Sequence, residues 1–124
     1  MSEISVQAPN SLLIIGDPSG DLPESISGLV SVAPSCIVVG TLMCQDGPTH
    51  VRLLQGVRKD KSLPPTLAWE GVLELPGGVI AVTNVHLETY LEERVETSKV
   101  QVHVYVNHGN EPDQIAILLM TGAS

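Results

Sequence analysis

The chain reads as an all-β protein, an antiparallel β-sandwich, and three observations carry that expectation. First, Lys99–Val106 runs Lys-Val-Gln-Val-His-Val-Tyr-Val. A period of two puts Val100, Val102, Val104 and Val106 on one strand face and Lys99, Gln101, His103 and Tyr105 on the other. Second, the apolar content is aliphatic: 16 Val, 15 Leu and 8 Ile, against one Trp, two Tyr and no Phe in 124 residues. Such side chains fill the gap between two packed sheets without large rings. Third, turn-forming residues recur at intervals of about eight to twelve positions, the spacing of short antiparallel strands. We therefore expect about eight short strands with little helix, in a single domain over residues 1–124, with a partly open β-barrel as the alternative closure.

The elements follow in order. Ile4–Val6 and Leu12–Ile15 flank Pro9-Asn10 and read as two short paired strands. Gly16-Asp-Pro-Ser-Gly-Asp-Leu-Pro23 is a loop rich in turn formers. Ser35–Met43 is nearly continuous in apolar residues, as in a strand covered on both faces, and Asp46-Gly47-Pro48 turns it into His50–Leu54 as a hairpin. Gly56–Pro65 is a loop containing Arg58, Lys59 and Lys61. Residues 66–85 read as a hairpin joined at Pro76-Gly77-Gly78. Residues 86–97 are ambiguous: Leu87, Leu91 and Val95 fit a helical stripe, but a helix would set Glu88 against Glu92 and Glu92 against Glu96. Strand is the preferred reading. Lys99–Val106 and Ile115–Met120 close the chain through the turn 107–113.

Fourteen acidic against six basic residues give a net charge of -8, which disfavours nucleic acid as a partner because phosphate binding needs a basic footprint. Arg58-Lys59-Asp60-Lys61 is the one basic cluster and has no aromatic residue beside it to stack on bases. The first ten residues lack the features of a signal peptide, and the apolar runs are far shorter than a membrane span, so a cytoplasmic protein without membrane contact is expected. Cys36 and Cys44 fit that compartment as core thiols. On one strand over 35–44 they would share a face about 26 Å apart, too far to bridge.

Motifs for catalysis are weak. Asp17–Asp21 begins like a calcium loop, but the sixth position is Leu22 and the twelfth Gly28. Ser19 has Asp17 and Asp21 where a nucleophile elbow needs glycines. His50, His86, His103 and His108 show no HxH or HExxH spacing. A polar sheet face joining His86, Glu88, His103 and Tyr105 is conceivable if the first two lie on a strand beside the last two. We expect no enzyme, no metal and no cofactor.

The acidic group Glu88, Glu92, Glu93 and Glu96, with Glu111, Asp113, Glu70 and Glu74 elsewhere, has more content. On a strand, Glu88, Glu92 and Glu96 would share a solvent face and speed the capture of a basic partner. The expected function is a non-enzymatic protein-binding module, an acidic inhibitor or immunity-type protein. Glu88, Glu92, Glu93, Glu96, Glu111 and Asp113 would make its contact. The alternatives are a small-molecule or sugar-binding sandwich, which the shortage of rings disfavours, and a structural or assembly subunit pairing its open sheet edge across a homodimer.

Overall fold

The computed structural model describes residues 2–18, 22–23, 28–55, 63–95, 97–109 and 111–120. Ser19, Asp21, the basic cluster 58–61 and Glu96 lie outside the described residues.

The strands are β1 (Ser2–Val6), β2 (Leu12–Gly16), β3 (Val30–Val32), β4 (Cys36–Gly40), β5 (Thr49–Gln55), β6 (Thr66–Glu74), β7 (Val79–Thr83), β8 (Thr89–Arg94), β9 (Lys99–Val106) and β10 (Gln114–Met120). They form two five-stranded sheets, in the orders β1-β5-β10-β9-β6 and β3-β4-β2-β7-β8. The all-β sandwich is therefore present, and the barrel alternative falls because the sheets do not close. Period-two patterning builds the core. All four alternating valines of β9 are buried, with Val51 and Leu53 of β5 and Ile115, Ile117 and Leu119 of β10 beside them. Leu13, Ile15, Ile37, Val39, Ile80 and Val82 face them from the second sheet. Each such side chain contributes about 1.5–3 kcal/mol on burial.

Three expectations are corrected. Among the described residues there are ten strands rather than about eight; β3 is three residues long, too short to show a period. The sandwich is not wholly antiparallel, because β5 pairs with β10 in parallel register, Val51 opposite Ile115 and Leu53 opposite Ile117. Such a pair joins segments about sixty positions apart and has no local sequence signature.

The third correction concerns partners. β9 and β10 do pair across 107–113. The three expected hairpins, β1 with β2, β4 with β5 and β6 with β7, each join strands of different sheets. The turns lie where the sequence puts them, but the chain uses them to cross the end of the sandwich. Two residues within these crossings are themselves core: Ala8 between β1 and β2, and Leu75 between β6 and β7. A hairpin tip would leave both in water.

The expected strand over 35–44 also stops early. β4 ends at Gly40, Thr41 N donates to Ser11 O and Leu42 N to Pro112 O, and Cys44 begins a 3-10 turn, Cys44–Asp46. The two cysteines therefore do not share a strand face. Cys36 is a buried thiol on β4.

Candidate functional site

One end of the sandwich gathers the connections 7–11, 41–48, 84–88 and 107–113. The register places them together: Val6 lies opposite Thr49, His50 opposite Gln114, Leu12 opposite Gly40 and Ile14 opposite Thr83. The Leu42–Pro112 hydrogen bond, 2.9 Å, ties the two sheets at this end. Its charged side chains are Asp46, Glu88, Glu111 and Asp113, and none of its described residues is Lys or Arg. Arg94 and Lys99 flank the connection at the opposite end. That end mixes both signs among the described residues, since Asp17, Glu74 and Glu93 lie there too.

Two asparagines shape this end. Asn84 is 1% exposed, and its Oδ1 accepts from the backbone N of His86 (2.8 Å) and of Glu88 (3.1 Å). Its Nδ2 donates to Glu88 Oε1 (2.9 Å) and to Tyr90 Oη (3.0 Å). Asn107 acts in the same way on the β9–β10 loop: Oδ1 accepts from the backbone N of Asp113 and Gln114, while Nδ2 donates to Asp113 Oδ1. In each loop one amide takes up backbone donors with its oxygen and holds a carboxylate with its nitrogen, as asparagine does in turns. Glu111 N additionally donates to His108 Nδ1 at 3.1 Å.

The first of these loops presents Leu87 with φ 63° and 71% exposure. For a leucine the left-handed region costs about 1–2 kcal/mol, so the surrounding hydrogen bonds must impose it. Leu87 also lines a groove on the outer face of the second sheet, a cavity of about 260 Å³. Ile14, Cys36, Ala81 and Thr83 line it from the sheet, together with Leu22. Gly16 ends β2 at this groove with φ 153°; a Cβ there would meet Ser35 O at 2.2 Å, so only glycine lets the two chains abut. The next residue, Asp17, is 5% exposed, and its Oδ2 accepts from Gly77 N at 2.8 Å. Glu92 pairs with Ala81 and therefore lies on the same outer face as the groove.

The structure separates the sequence-derived site residues into groups. Glu88, Glu111 and Asp113 share the acidic end, Glu88 in the turn before β8 rather than on the strand. Glu92 is exposed on the outer face of β8, an edge strand. Glu93 points inward beside Ile80 and accepts from Gln55 Nε2 at 3.4 Å, at the seam between the sheets. The strand reading of 86–97 holds only for Thr89–Arg94.

The proposed polar face does not form. His86 sits in the loop of the second sheet, while His103 and Tyr105 lie on β9 of the first. His103 and Tyr105 do share a face, their ring centroids 6.3 Å apart, but Tyr105 is only 3% exposed. His103 Nε2 instead approaches Glu70 Oε2 at 3.4 Å.

Asn84 and Leu87 are the residues the sequence reading misses. Running the strand through to Val85 conceals Asn84, although an asparagine at the end of an aliphatic strand is a turn signal. Among the described residues no three His, Cys, Asp or Glu side chains are grouped to hold a metal. No helix among them is long and apolar enough to cross a membrane.

No family model matches the chain, and no curated protein matches it. Among solved structures, the fold is similar to that of ComJ, an inhibitor of the DNA degrading activity of NucA, from Bacillus subtilis. The TM-score is 0.65 at 6% sequence identity, over 97% of this chain and 95% of that one. At that identity the likeness is one of fold.

Proposed function

We propose that this chain is a non-enzymatic protein-binding module of inhibitor or immunity type, which docks a basic partner on its acidic loop end. The observation that carries the reading is the pair of asparagine-held loops, which fix Glu88 and Asp113 on an end with no Lys or Arg among its described residues. Loops ordered before binding lose little freedom on docking. A one-signed charged surface speeds the capture of an oppositely charged protein. Exposed Leu87 and Met43 supply apolar contact at the same end. That ComJ, on a similar fold, is an inhibitor of a DNA-degrading activity supports the type of function.

The test is capture of partners from cell extract by the immobilised chain in low and in high salt, followed by binding kinetics with the purified partner. The expected partner is basic and released by high salt, and Glu88→Lys with Asp113→Lys slows its association by about tenfold or more. A partner indifferent to salt and to both substitutions overturns the reading.

The groove favours a second reading, a small apolar ligand, its volume lying just under the usual range of about 300–1,000 Å³ for ligand pockets. A saturating ligand at about a hundred times its Kd would add about 2.7 kcal/mol of stability, visible as a thermal shift.

A further inference from the structure

A second surface, on a different part of the molecule, follows from strand β6. Four strands bound the two sheets: β1, β6, β3 and β8. β3 has three residues, and β1 and β8 lie against each other along one side. β6, with nine residues, is the longest of the described strands and bounds the first sheet on the other side, where no strand among the described residues pairs with its outer edge. A bulge at Leu67/Trp69 interrupts its start; from Trp69 to Glu74 it is regular.

The phase of its backbone is set by two hydrogen bonds. Leu75 N donates to Ser98 O, next to β9, and Glu74 N donates away from β9 to Pro34 O. Because backbone groups alternate in direction along an antiparallel strand, those of Val72 and Glu70 also point away from β9, to the open side. The same three residues carry their side chains on the outer face, opposite Lys99, Gln101 and His103 of β9. Val72 is 57% exposed between two exposed carboxylates. On the inner face Trp69 lies over Gly71, where a Cβ would come within 2.5 Å of the indole ring; the edge is thereby packed from within.

We propose that the open edge of β6 is a strand-addition site for an extended protein segment in which basic residues alternate with small or β-branched apolar ones. An added strand hydrogen-bonds to the backbone of Glu70 and Val72 and sets its own side chains opposite Glu70, Val72 and Glu74. Basic residues opposite the two carboxylates and an apolar residue opposite Val72 are the complementary pattern. A second copy of this chain is a poor occupant. The two-fold register centred on Val72 sets Glu70 against Glu74 twice, and the one centred on Glu70 sets that carboxylate against itself; like charges directly opposite are destabilising.

The probe is a soluble peptide of alternating Lys and Val, with a version carrying Glu for Lys as control, and the readout is amide hydrogen exchange resolved by residue. The Lys peptide is expected to slow exchange at Glu70 and Val72 by about tenfold or more, and the Glu peptide to leave it unchanged. Val72→Pro abolishes the effect, because the N–H it removes faces the open side and the pairing with β9 is kept. Should that variant not fold, Glu70→Lys with Glu74→Lys decides, by exchanging the preference between the two peptides. Unchanged exchange in β6 at saturating Lys peptide overturns the proposal. So does protection confined to 84–88 and 107–113, which would place the peptide on the acidic loop end alone. Protection that arises without peptide and grows with protein concentration overturns it in favour of a second copy.

Discussion

Asn84 and Glu88 are joined three times. The Asn84 amide nitrogen donates to the Glu88 carboxylate at 2.9 Å, the Glu88 backbone N donates to the Asn84 amide oxygen at 3.1 Å, and Asn84 N donates to Glu88 O at 3.1 Å. The first two bonds belong to the asparagine side chain, which also holds His86 N and Tyr90 Oη.

Asn84→Ala removes the partner of two backbone donors and of one hydroxyl at a buried position. We expect a loss of about 2–3 kcal/mol, read from urea unfolding, since donors left without partners lose more than the mean worth of a hydrogen bond. Asn84→Asp keeps the acceptor but sets a second carboxylate against Glu88, so it rescues only part of that loss.

Leu87→Gly acts in the opposite direction. The side chain is 71% exposed, so little burial is lost, and the left-handed backbone becomes unstrained. Stability should rise by about 1 kcal/mol, offset in part by the greater freedom of glycine in the unfolded chain. Partner binding should weaken in the same variant. Unchanged binding would remove Leu87 from the proposed contact.

Gly71→Ala tests the seat of the indole. The added methyl must displace the Trp69 ring, at a cost of about 1–3 kcal/mol. Trp69 is the only tryptophan, so the displacement should appear as a red shift of intrinsic fluorescence before any unfolding.

Leu75→Ala tests whether the Pro76-Gly77-Gly78 connection is a core crossing or a surface turn. Leu75 is fully buried and should cost about 2–5 kcal/mol by chemical denaturation. A loss well under 1 kcal/mol, the usual effect of a surface change, would contradict the crossing.

These elements also mark how far the sequence was legible. β9 could be read because four valines at period two admit one face assignment, and the structure buries all four. The turns at Pro9-Asn10, Asp46-Gly47-Pro48 and Pro76-Gly77-Gly78 were legible as turns, but a hairpin and a crossing between sheets use the same turn residues. The discriminating signal was the apolar residue inside the connection, Ala8 or Leu75. The pairing of β5 with β10 left no trace, because parallel partners are remote in sequence. Of the acidic residues, the exposure of Glu88, Glu92, Glu111 and Asp113 followed from their polarity. Glu93 faces inward because of its register opposite Ile80, and register depends on the partner strand.

The position of β10 has a consequence for folding. It lies between β5 and β9, so until residues 114–120 are in place the first sheet has only two unconnected pairs, β1 with β5 and β6 with β9. Each pair then presents an unpaired flank, and the inner face of the second sheet meets an incomplete layer. β10 is thus the keystone of the first sheet, and intermediates that lack it expose strand edges open to chaperones and to aggregation.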